Sequence, residues 1–459
     1  MALSFPVHRR EPELIAPASP TPRETKRLSD LDDPETLRLQ VPIVFVYRPA
    51  EGRRVRRGAD DPVDTIRQAL AVALVPYYPL AGRLREVEDR KLVVDCTGEG
   101  VLFVEADAVV RVAELEAAGL RAPFPCMDQL LFDVEGSAGV IGTPLLLIQV
   151  TRLLCGGFIL AIRLNHTMCD SLGIVQFMCA VADVARGGRV AVSPVWSREL
   201  LDARKPPKPA FRLREYDNVA APPPASPSMS LSEDMVMRTF SFTATDIATL
   251  MGALPPHLRR VATSFDVLAA FVWRARARAL EIPAGEDARL AIIVSLNSNV
   301  ELRLPRGYYG NAFVQSMVAL PAEEMVHRGG QRSLGDVVEL VREAKEKAVT
   351  AEYVRSVADT LVMRGRPPLD TANLLQISDV RLVGLNRVDF GWGDPVYGGP
   401  SQAWFGVSHL VAVRNGAGEE AVALPIVLPA AAMERFASEM ETLRKGQSAH
   451  LSVLQTSRM

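Results

Sequence analysis

The chain has 459 residues, of which 48% are hydrophobic and 23% charged, with a formal net charge of -2 at pH 7. That length exceeds what one hydrophobic core usually organises, so we expect two domains. A nearly neutral chain gives no reason to expect a nucleic-acid or membrane partner. The five cysteines are odd in number and lack C-x-x-C spacing. They favour a reduced compartment over a disulfide framework or a zinc site.

The first half of the chain mixes strand and helix patterns. Residues 1–35 are rich in proline and charge, which predicts an extended arm around one first strand. Asp61-Pro62 predicts a helix start, because aspartate caps a helix and proline suits its first position, and Pro76 ends this helix. The other predicted elements are strands at 39–47, 92–96, 101–105, 145–154 and 158–164, and a helix at 171–186.

The second half follows a stretch in which proline content rises and apolar periodicity fades. This stretch, from about 193 to 235, predicts a long crossover linker. Beyond it we predict helices at 263–280, 333–349 and 430–444, and strands at 290–296, 380–385, 408–414 and 421–428. Both halves therefore predict α/β architecture, with domains at 1–195 and 236–459 joined by the linker 196–235.

His166, one of six histidines, follows the apolar strand 158–164 and precedes the helix 171–186. A junction of this kind would hold the side chain rigidly. A lone histidine beside an apolar strand is nevertheless more often a core or surface residue than a catalyst. Asp170, four residues later, could also join His166 as a metal ligand. No third ligand follows at motif spacing, so no metal is expected.

Two sequence motifs favour a catalytic role for His166 over a core or surface role. Residues 166–170 fit the pattern H-x-x-x-D, and a second motif, D-F-G-W-G, follows about 220 residues later. The second motif is Asp389-Phe390-Gly391-Trp392-Gly393. In this order and spacing they resemble the plant BAHD acyl-CoA-dependent acyltransferases. Family-like sequence at 76–84, 267–274 and 307–311 extends the resemblance over nearly the whole chain.

The resemblance implies two similar domains of the chloramphenicol-acetyltransferase type, with a channel between them that reaches the histidine from both sides. It also implies direct transfer from acyl-CoA to a hydroxyl in a ternary complex, with no permanently bound cofactor. His166 would be the general base. A covalent route needs an activated nucleophile, and the chain lacks a G-x-S-x-G elbow. Asp170 and the D-F-G-W-G loop would be structural.

The chain departs from the family at one position. Many members carry an N-x-R tripeptide whose arginine pairs with the motif aspartate, and the matching stretch here is Ser295-Leu296-Asn297. The arginine is missing. Asn297 could still donate a hydrogen bond to Asp170, although a weaker one than a charge-assisted pair.

The amino-acid sequences of the amino-terminal third and of residues 145–170 most resemble the benzyl alcohol O-benzoyltransferase branch of this family. The expected reaction is therefore transfer from benzoyl-CoA to benzyl alcohol, giving benzyl benzoate, by a monomer. Another acyl donor, such as acetyl- or hydroxycinnamoyl-CoA with a larger hydroxylated metabolite, is an alternative. A catalytically silent binding protein of the same fold is another. A basic residue at the channel mouth would meet the coenzyme phosphates.

The chain ends in Ser457-Arg458-Met459, a conservative variant of the S-K-L address read by the peroxisomal import receptor. The polar run before it, 445–456, is expected to be mobile and accessible. Neither a secretory signal nor a membrane-spanning apolar run is expected. These observations predict a peroxisomal location, with the cytoplasm as the alternative.

Overall fold

The computed structural model describes residues 3–49, 61–133, 139–213, 216, 234–326, 332–414 and 418–456. The strands are β1 Val7–Arg9, β2 Glu13–Ile15, β3 Thr25–Arg27, β4 Gln40–Tyr47, β5 Arg83–Glu86, β6 Leu92–Asp95, β7 Val101–Ala108, β8 Leu146–Leu153, β9 Phe158–Asn165, β10 Met235–Thr243, β11 Asp287–Ser295, β12 Phe313–Pro321, β13 Leu374–Asp379, β14 Tyr397–Pro400, β15 Val407–Arg414 and β16 Glu420–Pro429. The helices are α1 Pro62–Ala73, α2 Val112–Ala117, α3 Met127–Leu130, α4 Ser171–Ala185, α5 Ala244–Gly252, α6 Pro256–Arg259, α7 Ser264–Leu280, α8 Ala322–Val326, α9 Leu334–Ala348, α10 Ala351–Met363 and α11 Ala430–Thr456.

The first large sheet has the order β1-β7-β8-β9-β4-β14, and β2 also pairs with β7. Strand β9 lies in its interior, between β8 and β4, and is buried along almost its whole length. A central strand covered on both faces needs such a continuous apolar run. Helices α1 and α4 pack against each other, and their apolar faces join the core of this sheet. This sheet carries the motif that contains His166.

The second large sheet has the order β10-β16-β15-β13-β11-β12. Helix α7 lies in the middle of its core, and α9 and α11 pack against α7. Thr263 caps α7 and forms a capping box with Asp266, as the sequence predicts. The predicted mixed α/β fold with two sheet-containing domains is confirmed.

The two halves of the chain are interwoven. Strand β14 comes late in the chain, between β13 and β15, yet it pairs with β4 at the edge of the first sheet. The crossover region also packs, because Leu201 and Leu213 share an apolar cluster with Tyr353 and Val357 of α10. The described part of this region therefore contributes to the core.

Several elements differ from their sequence predictions. The strand predicted at 380–385 is wrong: the strand is β13, and the chain turns after Asp379, whose side chain accepts a hydrogen bond from Arg381 N at 3.1 Å. Gly384 has a φ of 95°, which only glycine adopts readily and which a strand excludes. The first 35 residues form three short strands rather than one, and α11 continues to Thr456 where a helix end at 444 and a mobile run were expected. No described helix is both long and apolar enough to cross a membrane.

Candidate active site

His166 lies in a tight turn between β9 and α4. Its backbone N–H donates to the carbonyl oxygen of Leu39 at 2.9 Å, which ties the turn to the start of β4. The side-chain oxygen of Asn165 accepts hydrogen bonds from Thr167 N and Oγ1, at 3.3 and 2.8 Å. Three residues later Asp170 caps α4. The backbone on both sides of His166 is therefore fixed.

The imidazole of His166 contacts one polar side chain from the second half of the chain. Its Nδ1 lies 3.1 Å from Oδ1 of Asn311. The amide nitrogen of Asn311 donates to Asp32 Oδ1 and to the His166 carbonyl oxygen, both at 2.9 Å. Since these two partners can only accept, the NH₂ group must face them, and the amide oxygen must face the ring. Nδ1 therefore carries the proton, and Nε2 has the free lone pair.

Asp32 holds this arrangement from the amino-terminal arm. It is fully buried, and its Oδ1 accepts from Asn311 N and Nδ2, both at 2.9 Å, and from Arg198 Nη1 at 2.7 Å. Arg198, in the crossover region, is 1% exposed and also donates to the Met168 carbonyl oxygen at 2.8 Å. Buried charges are tolerated only when paired and hydrogen-bonded. This cluster therefore orders the site before any substrate binds.

Burial lowers the pKa of His166 below its ordinary value, and this effect outweighs the hydrogen bonds and the Asp170 and Asp32 carboxylates, which act to raise it. The ring is therefore neutral at neutral pH. A neutral imidazole with Nε2 unprotonated can accept a proton, which is what a general base requires.

Asp170 joins two elements through backbone hydrogen bonds. One carboxylate oxygen accepts from Gly173 N at 2.9 Å and caps α4, and the other accepts from Ala312 N at 3.0 Å. The expected hydrogen bond from Asn297 is wrong, because Asn297 is exposed and its amide nitrogen donates to Ser295 Oγ at 3.2 Å. The backbone N–H of Ala312 occupies the position expected for a side-chain donor.

Cys169 lies within the H-x-x-x-D motif, and it is fully buried. Burial raises the pKa of this thiol, and the neighbouring Asp170 carboxylate raises it further. A thiol must ionise to act as a nucleophile. Cys169 therefore offers no covalent route.

The D-F-G-W-G loop lies at the opposite end of the first sheet from His166. Phe390 meets Tyr47 edge-on at 5.7 Å, and Trp392 meets Phe158 at 5.3 Å. Phe158 begins β9 and His166 follows its end, so the two are about 26 Å apart along an extended strand. The Asp389 carboxylate accepts from the backbone N–H groups of residues 391 and 393, both glycines with positive φ. These contacts fix the loop itself.

An apolar cavity lies beside the site. Phe313, whose ring centroid is 6.0 Å from that of His166, lines a cavity of about 30 Å³ together with Leu37, Val357 and Leu361. A cavity that accepts benzene needs roughly 150 Å³. Its side chains must therefore move before an aromatic ring can enter.

Sequence reasoning identified His166 and Asp170 but assigned no role to Asn311, Asp32 or Arg198. Sequence analysis could have identified Asn311, because this residue ends the family-like stretch 307–311. Nothing local marks the other two, which act only through partners far along the chain. Within the described ranges, no three His, Cys, Asp or Glu side chains are grouped to hold a metal ion.

Known proteins resemble the chain over almost its full length. A family model described as "Transferase family" matches residues 5–443. The benzyl alcohol O-benzoyltransferase of Petunia hybrida is 48% identical over 452 residues, covering 97% of this chain and 95% of that protein. The Nicotiana tabacum protein of the same name is 46% identical, covering 96% and 95%. Alcohol acyltransferase 16 of Actinidia chinensis var. chinensis is 45% identical, covering 96% and 94%.

Solved structures share the fold. The crystal structure of vinorine synthase is similar with a TM-score of 0.72 at 22% identity, covering 95% of this chain and 98% of that one. The structure of F. sporotrichioides TRI101 complexed with coenzyme A and T-2 has a TM-score of 0.69 at 16% identity, covering 91% and 98%. At these identities the likeness establishes the fold alone.

Proposed function

The chain belongs to the BAHD family of acyl-CoA-dependent acyltransferases, and from that premise we propose that it transfers a benzoyl group from benzoyl-CoA to benzyl alcohol. The observation that carries the chemistry is the hydrogen bond between His166 and Asn311, since it leaves Nε2 as the basic atom. The substrate assignment rests on the two relatives that bear the name benzyl alcohol O-benzoyltransferase.

The proposed reaction takes place in one ternary complex. His166 Nε2 removes the hydroxyl proton of the alcohol while the alcohol oxygen attacks the thioester carbonyl carbon. The carbon–sulfur bond of the tetrahedral intermediate then breaks, and the imidazolium returns the proton to the coenzyme A sulfur. The products are benzyl benzoate and free coenzyme A. No residue is acylated, in keeping with the raised pKa of the Cys169 thiol, which burial causes.

Asn311 is assigned a positioning role, because it touches the base and not the reacting atoms. Its amide oxygen holds the Nδ1–H and stabilises the imidazolium that forms during the reaction. Asp170 and the D-F-G-W-G loop are proposed to be structural. Asp170 ties α4 to the turn that carries Asn311, and the loop closes the distant end of the first sheet.

A panel of acyl-CoAs against alcohols, followed by thiol release, tests the assignment. Among unsubstituted donors and acceptors, we expect benzoyl-CoA with benzyl alcohol to give the highest kcat/KM. Faster turnover of acetyl-CoA or of an aliphatic alcohol would replace the substrates and keep the reaction class. That outcome has support, since other similar proteins are named alcohol acyltransferases. If no pair released thiol, the chain would be the silent binding protein.

His166→Ala tests the base. Turnover should fall by a factor of about 100 or more, as expected when a general base is removed. The same substitution at the exposed His257 is the matched control and should leave turnover unchanged. Comparable activity in a folded His166→Ala protein would refute the mechanism.

We also propose that the protein works in the peroxisome. The proposal rests on the tripeptide Ser457-Arg458-Met459, which lies outside the described residues. In this location the enzyme would meet an acyl-CoA donor that is made in the same compartment.

A further inference from the structure

His409, on β15, is a second histidine near the reaction centre. Both of its ring nitrogens are buried and have no hydrogen-bond partner in the part of the chain that the structure describes. The residue as a whole is only partly buried. Buried polar groups in folded proteins are almost always satisfied by protein, water or ligand. His409 therefore has two hydrogen-bonding positions that the described fold does not use.

The strand register shows which way His409 faces. In the β13–β15 pair Gln376 is aligned with Val407, and His409 lies two residues after Val407. The side chain of Gln376 accepts a hydrogen bond from the side chain of Gln315 of β12 at 3.1 Å. Gln315 in turn lies two residues after Phe313, the neighbour of His166. Residues two apart in a strand share a face. His409 therefore lies on the sheet face that carries Phe313, opposite the face that packs against α7.

The distance along this face separates His409 from the reacting atoms. Strands β15 and β12 are three positions apart in the sheet, so their backbones are roughly 14 Å apart at the usual strand spacing, and the side chains of His409 and His166 reach into the space between. The reacting hydroxyl and thioester must lie at Nε2 of His166, next to Phe313. His409 can therefore contact only a more distant part of a substrate that extends along this face.

The ring of His409 is neutral under working conditions. Burial, and to a smaller extent the nearby His166, lowers the pKa of His409 to about 4. A neutral imidazole offers one N–H donor and one acceptor nitrogen. The aromatic neighbour is Trp404, whose ring lies edge-on at 6.4 Å and provides an apolar wall. This environment suits an aromatic ring that bears a hydroxyl or amino group.

We propose that His409 determines specificity by hydrogen-bonding a polar substituent that the substrate carries in addition to its reacting group. The substituent is a hydroxyl, amine or carbonyl, on either the acyl group or the alcohol. This inference rests on the proposed acyl transfer and refines its substrate class. The preferred substrate is a substituted benzoyl-CoA or a substituted benzyl alcohol.

The test compares hydroxylated and plain substrates in two separate arms. One arm pairs benzoyl-CoA or its three monohydroxy derivatives with benzyl alcohol, and the other pairs benzoyl-CoA with benzyl alcohol or its three monohydroxy derivatives. In the wild-type protein we expect one hydroxylated isomer to exceed the plain compound in kcat/KM by about tenfold, the value of one net hydrogen bond. The arm in which this occurs identifies the substrate that His409 contacts.

The variants locate the preference. His409→Phe should abolish the tenfold ratio, and His409→Gln, which keeps a donor and an acceptor, should retain part of it and serves if the phenylalanine variant fails to fold. His257→Phe, at an exposed histidine, is the matched control. Titration calorimetry with the same compounds supplies a ratio that does not depend on turnover. If that ratio responds to His409→Phe while no thiol is released, the proposed reaction fails, and the role of His409 is reduced to binding the substituent. A ratio that is equal in the wild-type and both His409 variants overturns the inference.

Discussion

Replacing Asn311 by alanine should slow the reaction without removing the base. The substitution deletes the amide oxygen that accepts from His166 Nδ1 and the amide nitrogen that donates to Asp32. His166 then loses the contact that selects its Nδ1–H form. Asp32 keeps Arg198 Nη1 and the backbone N–H of residue 311, so its charge remains paired.

The size of the effect follows from one hydrogen bond. A net contribution of about 1 to 1.5 kcal/mol corresponds to roughly tenfold in the fraction of His166 that is correctly oriented. We therefore expect kcat to fall about tenfold and KM to change little. The unfolding free energy should fall by about 1–3 kcal/mol, since the Nδ2 donor is also lost to its buried acceptors. Because the Asn311 hydrogen bond raises the pKa of His166, its loss should shift the acid limb of kcat/KM to lower pH.

Steady-state kinetics across pH and thermal unfolding measure these quantities. The matched control is Asn297→Ala, since Asn297 is exposed and, among the described residues, hydrogen-bonds only within its own turn. That variant should match the wild-type protein in rate and in melting temperature. The reasoning is refuted if folded Asn311→Ala keeps the wild-type kcat, or if Asn297→Ala loses as much.

Three further outcomes are expected. The acid limb of kcat/KM should have its midpoint below about 6.5, because burial lowers the pKa of His166. Activity should fall only as the pH drops through that lowered value. A midpoint above about 6.5 would contradict the assignment of His166 as the base. Asp170→Asn keeps a helix cap but turns an amide NH₂ toward Ala312 N, so the melting temperature should fall by several degrees while turnover falls less than in His166→Ala; unchanged values of both would show the structural role to be wrong. A fluorescent protein fused ahead of residue 1 should enter peroxisomes and should stay outside them when Ser457 to Met459 are deleted; a diffuse full-length fusion would end that proposal.

The sequence predicted those parts of the fold that local patterns encode. Helices α1, α7 and α9 begin at capping residues, and β4 and β9 are apolar runs of typical strand length. Strand β14 could not be predicted to join the first sheet, because its pairing with β4 spans most of the chain and its own sequence is short and glycine-rich. The residues at 380–385 have a strand-like composition, but the local hydrogen bond at Asp379 and the positive φ of Gly384 favour a turn.

The candidate site also contains residues that local sequence reveals and residues that it does not. His166 and Asp170 stand in one short motif and are found by spacing. The contacts that orient His166 join residues 145 and 279 positions apart, and the ion pair of Arg198 with Asp32 joins residues 166 apart. Contacts at such separations depend on how the two sheets pack, which periodicity does not report. Asn297 was chosen because it replaces a missing arginine in sequence, yet the structure leaves it exposed.

The missing arginine is explained by what Asp170 contacts. Both of its carboxylate oxygens are occupied by backbone N–H groups, from Gly173 in its own helix and from Ala312 beside Asn311. A backbone donor has fixed geometry and loses no side-chain entropy on ordering, so it replaces the hydrogen bond of a long charged side chain but not its charge. The last residue of H-x-x-x-D then holds the turn whose asparagine orients the first. The motif therefore couples His166 to the second domain, and His166 is correctly placed only when both halves of the chain have packed.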